Sequence, residues 1–385
     1  MAETSFEAIP QDLQMKILSR MSLKHLGKCI CASKKLATII RTKEFRDLHL
    51  QYQYMARPRM LFMVLDVNFN TNEEVLLFYS VYQDEKKPLL SSGQQESLIF
   101  QGPPGYKISQ PTRGLVCVRE KTKIMICNPT TKKCWTLLEL KTCKEELTSA
   151  YFGYDEATDE FKVLCLTPMK SDGPSKEAKK HLVLTMRPGE ESRRWITCEH
   201  HHTPVSVQGL CKEGVLYYGA KSNSKKSVIM SFNMRFEKFN VIALPEEVDI
   251  SSRWKLVSYK GEIALVNDDD DLLRNGVLQI WVGKETKGMW EWEKTRIEIL
   301  RWKEFAERKT IRFKGTIGTG ELVFAQNYLD TERPLVFPLE KQKGSLMVLY
   351  YNEVTKDLRR FKIEREFEGL AVQTFLDHVD SPQLM

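Results

Sequence analysis

The chain has 385 residues, of which 42% are hydrophobic and 28% charged, and it carries a formal net charge of +7. These proportions exclude wholesale disorder, and the length predicts two or three domains. Residues 51–385 contain 49 basic and 46 acidic residues. This near balance argues against a nucleic-acid platform, because such proteins concentrate basic charge in a patch. No run reaches the ~18 apolar residues that a membrane span requires. We therefore expect neither a nucleic acid nor a membrane as partner.

The nine cysteines are odd in number and scattered between Cys29 and Cys211 without the spacing of a disulfide framework. A reducing compartment accounts for that pattern best. The first residues also lack the apolar segment of a secretory signal. We expect the protein in the nucleus, the cytoplasm or both.

Residues 10–45 have a helical period, and three short helices are predicted there. Pro10 and Asp12 are typical of a first helical turn, and Ser22 and Ser33 are candidate N-caps of the second and third helix. The apolar positions are Leu13, Ile17, Leu18 and Met21 in the first helix, Leu23, Leu26, Cys29 and Ile30 in the second, and Leu36, Ile39 and Ile40 in the third.

A helical unit of about 45 residues is near the lower size limit for independent folding and buries little apolar surface by itself. Its apolar side chains must therefore be covered by something else. The pattern alone leaves open whether that cover is the rest of this chain or a second protein.

After residue 110 the period changes to short strand-like runs separated by polar turns. One phrase recurs, in which a strand ends at an Asn, Asp or Gly turn and an aromatic residue lies in the return strand. Such turns are typical of β-hairpins. The instances are 126–135, 152–161, 231–239, 282–290 and 351–361, with a looser one at 187–195.

Further hairpins precede several of these, so that four-stranded units begin near residues 112, 151, 207, 256 and 315. This spacing indicates propeller blades. The strand-like runs in 60–82 are expected to begin another blade, with the C-terminal end closing the ring. We predict an α+β multidomain protein whose all-β, propeller-like domain has about six blades. An open β-sandwich is the alternative, because the kelch Gly-Gly doublet and the Trp-Asp repeat ending are missing.

The N-terminal strings SFEAIPQDLQMKILSRM (5–21), SLKHLGKC (22–29) and ASKKL (32–36) resemble the F-box in order and spacing. The blocks 112–118, 128–135 and 153–166 resemble the plant F-box-associated interaction domain, and the tail 373–381 is similar to that family's ending. The resemblance implies a layout in three parts. These are a three-helix F-box domain at 1–48, a linker with the first strands at 49–111, and the F-box-associated β domain at 112–385.

The resemblance also implies a function. An F-box binds a Skp-type adaptor, which joins it to a cullin, and the C-terminal domain presents a protein substrate for ubiquitin transfer by a separate enzyme. This implies a substrate receptor without enzyme activity or cofactor, whose substrate the sequence does not identify. Leu18, like Leu26 and Ile30, has a structural alternative, which is to hold the helices together. The implied adaptor-facing positions are Ile9, Pro10, Leu13, Ile17, Leu18, Leu23 and Leu36.

The chain departs from the F-box pattern at three of its positions. Ile9 replaces a Leu, which is a mild change. Ser22 replaces a Pro, losing a fixed φ but keeping a hydroxyl that can cap. Leu36 replaces a Trp, and an aromatic anchor buries about 150–250 Å². We expect adaptor binding to survive these changes with reduced affinity.

Other chemistry finds less support in the sequence. Cys198, the histidines at 200–202 and Cys211 suggest zinc, but consecutive residues of a strand point in opposite directions and no Cys-x-x-Cys pair completes the set. We expect no metal. Two other function classes remain. A β-propeller enzyme or carbohydrate-binding protein with a helical cap would need convergent carboxylates or a metal in the central channel, and a nucleic-acid platform would need a basic stripe.

Overall fold

The chain folds into a small helical unit followed by six antiparallel sheets. The structure is a computed structural model. It describes residues 6–56, 58–68, 73–83, 95–102, 106–120, 123–139, 149–166, 179–187, 190–205, 209–250, 254–267, 275–305, 311–326, 342–369 and 371–383.

The helical unit contains four α-helices, preceded by a single 3-10 turn at Phe6–Ala8. Three helices were predicted from the sequence, and the fourth lies beyond them. Together they enclose a small apolar core around Leu26 and Phe45. The helices are α1 (Gln11–Ser19), α2 (Leu23–Ala32), α3 (Lys34–Arg41) and α4 (Lys43–Ala56).

The two predicted serine caps differ in the structure. The Ser33 hydroxyl accepts a hydrogen bond from the Leu36 N–H at 3.4 Å, so the cap of α3 is confirmed. Ser22 occupies the N-cap position of α2 but caps no backbone N–H. Its hydroxyl lies 2.8 Å from Nδ1 of His25 instead, so the capping bond predicted for Ser22 is wrong.

Helix α4 was missed in the sequence, and it crosses residue 48, where the pattern placed the end of the helical domain. Its start has an ordinary signal, since the Thr42 hydroxyl accepts the Phe45 N–H at 3.2 Å. The side chains that it buries include the polar residues Arg46, His49 and Gln53. Only two of the five residues that it buries, Phe45 and Leu50, are apolar, so the hydrophobic period is weak.

The six sheets, called blades 1 to 6 in chain order, contain strands β1 to β25. A short helix, α5 (Trp302–Phe305), precedes blade 6. The strands of blades 1 to 3 are β1 (Arg59–Asn68), β2 (Glu73–Tyr82) and β3 (Gln95–Gly102); β4 (Tyr106–Ile108), β5 (Val116–Glu120), β6 (Lys123–Asn128) and β7 (Lys133–Glu139); and β8 (Ser149–Asp155), β9 (Glu160–Leu166), β10 (Lys179–Arg187) and β11 (Glu190–Cys198).

Blade 4 has five strands, and blades 5 and 6 have four each. The last strand of the chain, β25 (Ala371–His378), belongs to blade 1. The others are β12 (His202–Pro204), β13 (Leu210–Lys212), β14 (Val215–Ser222), β15 (Ser227–Asn233) and β16 (Lys238–Ala243); β17 (Trp254–Tyr259), β18 (Glu262–Asn267), β19 (Val277–Thr286) and β20 (Met289–Glu298); and β21 (Ile311–Thr316), β22 (Leu322–Gln326), β23 (Gln342–Tyr351) and β24 (Leu358–Gly369).

The propeller prediction is confirmed, with six blades, and the β-sandwich alternative is wrong. Blades 2 to 6 begin within six residues of the predicted starts. All six recurrent hairpins form, five between the two outer strands of a blade and the one at 152–161 between β8 and β9. The repeat can be detected in the sequence because each hairpin turn needs Asn, Asp or Gly for its geometry.

The apolar core lies between blades rather than within one. Six buried clusters each combine side chains of two neighbouring blades, and together they run round the whole ring. Blade 1 joins both ends of the chain, because β25 pairs antiparallel with β1, setting Val372 opposite Val64. The expected closure of the ring by the C-terminal end is thus confirmed.

After β25 the chain lies on blade 2, where Asn128 holds it. The fully buried Asn128 donates its Nδ2 hydrogens to the carbonyls of Ser381 (2.9 Å) and Gln383 (2.7 Å). Its Oδ1 accepts the N–H groups of Thr130 and Thr131, which shapes the β6–β7 turn. One side chain therefore stabilises a turn and the tail together.

Gly114, in the turn between β4 and β5, permits the tail to approach closely. Its φ is +78°, a conformation that glycine adopts without strain. A Cβ atom at this position would lie 2.4 Å from the Val379 carbonyl oxygen. Any larger residue would therefore push the tail away from blade 2.

Helix α4 joins the helical unit to blades 2 and 3 through a chain of charged groups. The buried Arg46 pairs with Asp159 in the β8–β9 turn, and Asp159 accepts the Tyr154 hydroxyl at 2.7 Å. Arg113 stacks over the Tyr154 ring at 4.3 Å and pairs with Asp47 of α4. The helical unit is thereby held in one orientation on the propeller.

The electrostatics of this junction favour the paired state. Partial burial acts to raise the pKa of Asp47, but the hydrogen bonds and charges of Lys43 and Arg113 outweigh it and lower that pKa. Burial lowers the pKa of His49, while the backbone of Ser19 and of Asp380 opposes the shift. His49 is thus enclosed by α1 on one side and the C-terminal tail on the other.

The strand directions define two edges of the propeller. Turns β4–β5, β6–β7 and β8–β9 emerge at the same edge, because successive strands run in opposite directions. We call this the helix edge, since α4 contacts it through Arg113 and Asp159. The opposite one, where β5 connects to β6 and β14 to β15, is called the far edge.

Replacing Asn128 with Ala should lower the free energy of unfolding by about 2–4 kcal/mol, because the turn loses its cap and the buried Ser381 and half-buried Gln383 carbonyls lose their donor. Asn352→Ala is the matched control. Asn352 accepts the N–H groups of Val354 and Thr355 in the same kind of turn, in blade 6. It should cost only about 1 kcal/mol. Urea denaturation of the full chain measures both, and equal losses would contradict the role given to the tail.

Arg46 and Asp159 should be strongly coupled in a double-mutant cycle. Arg46→Met and Asp159→Asn each leave a buried partner unsatisfied, so we expect a coupling energy of about 1–3 kcal/mol. The control is the exposed pair Arg301–Glu304, 2.7 Å apart, for which less than about 0.5 kcal/mol is expected. Thermal unfolding of the full chain gives both values. A coupling no larger than the control's would show that α4 is held by other contacts.

Candidate functional site

The first helix presents an apolar face that nothing in the described chain covers completely. Leu13 and Ile17 are 44% and 43% exposed, although both are large hydrophobic residues. They lie four residues apart and therefore on the same side of α1. Pro10, also exposed, directly precedes the helix. We call Pro10, Leu13 and Ile17 the α1 face.

The opposite side of α1 explains why this face points outward. Gln14 is buried and donates its Nε2 hydrogen to the Ile9 carbonyl at 2.6 Å, which fixes the entry into the helix. Leu18, one turn later, lies fully inside the helical core. The helix is thus anchored by positions 14 and 18, and positions 13 and 17 are left at the surface.

The seven predicted adaptor-facing residues fall into three groups. Pro10, Leu13 and Ile17 are exposed and lie together. Ile9 and Leu36 are half-buried, with Leu36 packed against the helical core. Leu18 and Leu23 are buried in that core, so their side chains hold the helices together, which is the structural alternative given above for Leu18.

None of the described helices combines the length and apolar character needed to cross a membrane.

The structure brings together a possible metal-ligand set that the sequence reasoning did not assemble. His181, Cys198 and His202 are buried, and their ligand atoms lie within 4.8 Å of one another. Cys198 and His202 belong to the cluster that suggested zinc in the sequence, whereas His181 lies 17 residues before Cys198, and the β10–β11 pairing brings it close. His200, His201 and Cys211 are not members of this group.

Hydrogen bonds already use both ring nitrogens of His202. Nδ1 lies 2.7 Å from the His200 carbonyl and Nε2 lies 2.9 Å from the Tyr218 hydroxyl. The Cys198 thiol donates to the same His200 carbonyl at 3.3 Å. Burial raises the pKa of Tyr218 well above its usual value, which keeps the phenol protonated as a donor. A metal would have to displace these bonds, so the group is accounted for as a polar cluster in the core.

The enzyme alternative requires carboxylates that converge on a cavity. In the part of the chain that the structure describes, the buried acids have structural partners. Glu160 pairs with Lys162 and Arg187, and Glu321 pairs with Arg359. Asp155 accepts bonds within its own turn. These contacts shape hairpins and join strands.

Comparisons with known proteins agree with the two-part architecture. Residues 6–48 match the F-box domain family, and residues 60–379 match the F-box associated beta propeller domain family. The boundary between the two matches falls within and just after α4, the helix that joins the two parts.

Relatives of similar length are found in Arabidopsis thaliana. The putative F-box protein At1g70960 is 46% identical over the full length of both chains, and the putative F-box protein At1g70970 is 42% identical over 97% of each. The F-box protein DOR is 32% identical, covering 100% of this chain and 95% of its own. This chain therefore belongs to the family of plant F-box proteins that carry a C-terminal F-box-associated β-propeller domain.

Proposed function

We propose that the protein is the substrate receptor of a cullin-type ubiquitin ligase of the SCF class, and that it binds a Skp-type adaptor through the α1 face. The observation that carries the proposal is the exposure of Leu13 and Ile17 on a helix whose other side is fully packed. Apolar side chains of this size, placed together, are typical anchors of a protein interface. The family membership supports the same assignment.

The contacts between α4 and the propeller fix the orientation of the helical unit, which the proposed role requires. A substrate receptor must hold its cargo in a constant position relative to the adaptor, because ubiquitin is transferred from a separate enzyme. The Arg46–Asp159 and Arg113–Asp47 pairs connect the helical unit to blades 2 and 3. The helix edge is partly occupied in this way, so we propose that the protein substrate binds at the far edge.

The proposal assigns no catalytic step and no cofactor to this chain. Its partners would be a Skp-type adaptor, a cullin reached through it, and a protein substrate, without nucleic acid or membrane. The eight described cysteines are free thiols, which supports a reducing compartment, and we propose the nucleus or the cytoplasm. Leu36 is half-buried against the helical core, and we expect its replacement of the family's Trp to reduce adaptor affinity without abolishing binding.

Leu13→Asp and Ile17→Asp should each abolish adaptor binding while the chain stays folded. Each variant would bury a charge without a partner in the complex, and the expected cost of several kcal/mol corresponds to at least roughly a hundredfold weaker binding. In the free chain both positions face water, so melting temperatures should change little. Calorimetric titration of the purified full chain with a recombinant Skp-type adaptor measures the affinity.

The control for these variants is Val354→Asp, at a position that is 90% exposed in a turn of blade 6. It should bind the adaptor like the unmodified chain. Unchanged binding by both α1 variants would show that the adaptor uses another surface. If the unmodified chain binds no Skp-type adaptor, the receptor role itself is wrong.

A further inference from the structure

Two cysteines face each other across the β6–β7 hairpin of blade 2. Cys127 and Cys134 are direct partners in the strand register, one step from the pair Asn128–Lys133 that closes the turn. Directly opposed residues of an antiparallel pair have Cα atoms about 4.5 or 5.5 Å apart and side chains on the same face. Both spacings lie within the range of about 4.4–6.8 Å that a disulfide bridges. The register therefore places the two sulfur atoms where they can be joined without a shift of the backbone.

No other two of the eight cysteines that the structure describes are opposed in this way. The remaining cysteines of the strands have residues of other types as register partners, and they are Cys117, Cys165, Cys198 and Cys211. Cys29 and Cys31 lie two positions apart in α2, so their side chains point in different directions. The opposed pair is thus particular to this hairpin of blade 2.

The two thiols of the pair have different surroundings. Cys127 is fully buried in the apolar cluster between blades 1 and 2, opposite Val116, whereas Cys134 is exposed on the outer strand. Burial, and then the hydrogen bond with Cys134, raises the pKa of Cys127. The same hydrogen bond lowers the pKa of Cys134, burial opposes this effect, and the charge of Lys123 adds to it. Cys127 is therefore the protected thiol of the pair, and Cys134 carries the accessible, more reactive sulfur.

The hairpin that carries this pair also holds the end of the chain. Asn128, the neighbour of Cys127, donates to the carbonyls of Ser381 and Gln383 in the C-terminal tail. A covalent bond between Cys127 and Cys134 would fix the two strands directly at the base of this turn. The redox state of the pair thus bears on the turn that anchors the tail.

We propose that Cys127 and Cys134 form a modification site for a peroxide, which converts the two thiols to a disulfide and cross-links the hairpin that anchors the C-terminal tail. The site is independent of the proposed receptor function. In the reducing compartment proposed above, the pair rests as two thiols, as the structure has it. Disulfides of such compartments are usually transient and redox-sensing, and a pair with one exposed sulfur suits that use.

The oxidation consumes one molecule of hydrogen peroxide. The Cys134 thiolate attacks one peroxide oxygen, the O–O bond breaks, and the hydroxide that leaves takes up the proton released by the thiol, which gives water and a sulfenic acid. The Cys127 sulfur then attacks the Cys134 sulfur. The S–S bond forms, the S–O bond breaks, and the hydroxyl group leaves with the Cys127 proton as a second water. A dithiol reductant reverses the change by thiol–disulfide exchange.

The disulfide itself is the first measurement, made on the purified full chain after reduction and treatment with hydrogen peroxide. Remaining thiols are blocked before digestion. Trypsin cleaves after Lys132 and Lys133, so it places the two cysteines in separate peptides, 124–132 and 134–141. Mass spectrometry should find these peptides joined after peroxide and separate after dithiothreitol. The proposal is wrong if peroxide leaves them separate.

Three variants test the role of each sulfur. Cys134→Ser changes an exposed position, so it should abolish the joined peptides and leave the melting temperature of the reduced chain unchanged. Cys127→Ala keeps Cys134 but removes the thiol that attacks its sulfenic acid, so labelling of Cys134 by dimedone should rise. Cys31→Ser is the matched control at another exposed cysteine, and it should form the joined peptides like the unmodified chain.

Two results with these variants would contradict the assignment. Equal dimedone labelling of Cys134 in the unmodified chain and in Cys127→Ala would show that Cys127 does not react with the sulfenic acid. Loss of the joined peptides in Cys31→Ser would show that the disulfide arises by exchange with a different thiol.

Thermal unfolding measures the effect of the cross-link on the hairpin. A disulfide restricts the unfolded chain, so the oxidised chain should melt about 2–4 °C higher without reductant than with it. Cys134→Ser, treated in the same way, should show no difference between the two conditions. A melting temperature that is equal or lower in the oxidised chain would contradict the stabilising role of the cross-link.

Discussion

Closure of the ring by β25 is the constraint on which the rest of the structure depends. Every apolar cluster of the propeller is shared by two blades, so no blade can bury its faces without both neighbours. Blade 1 is completed only when the end of the chain pairs with β1. The hydrophobic free energy of the domain is therefore realised only when the chain is complete, which makes the ring a cooperative unit.

The tail that follows the closing strand also contacts the helical unit. The residues after β25 are held by Asn128, and Asp380 accepts the Thr130 hydroxyl at 2.9 Å. Asp380 in turn faces the buried His49 of α4. The helical unit and the C-terminal tail thus meet at the helix edge, beside blade 2. The orientation of the α1 face relative to the propeller is a consequence of how the ring closes.

The charged residues at this junction have an energetic role of their own. At the junction each charge has an opposite partner, so burial strengthens the pairing and specifies one orientation.

Much of the architecture was predictable because it depends on local chemistry. The helical stripe of α1, the cap at Ser33 and the Asn, Asp and Gly turns of the hairpins are set by residues a few positions apart, and the blade repeat follows from them. The resemblance to the F-box also predicts an adaptor-facing role for Leu13 and Ile17, which the structure shows to be exposed. Helix α4 was not found, because Arg46 and His49 are buried by distant partners and look like surface residues in the sequence.

The sequence by itself thus determined the helical stripe of α1, the strand character of the hairpins and the blade repeat, since those depend on neighbouring residues. Only the tertiary structure decided which predicted contact residues are available, because Leu18 and Leu23 turn into the helical core while Leu13 and Ile17 remain at the surface. It also decided that His181 joins Cys198 and that Arg46 meets Asp159. Each of these contacts depends on strand register and on the closure of the ring, which bring together groups that no local pattern relates.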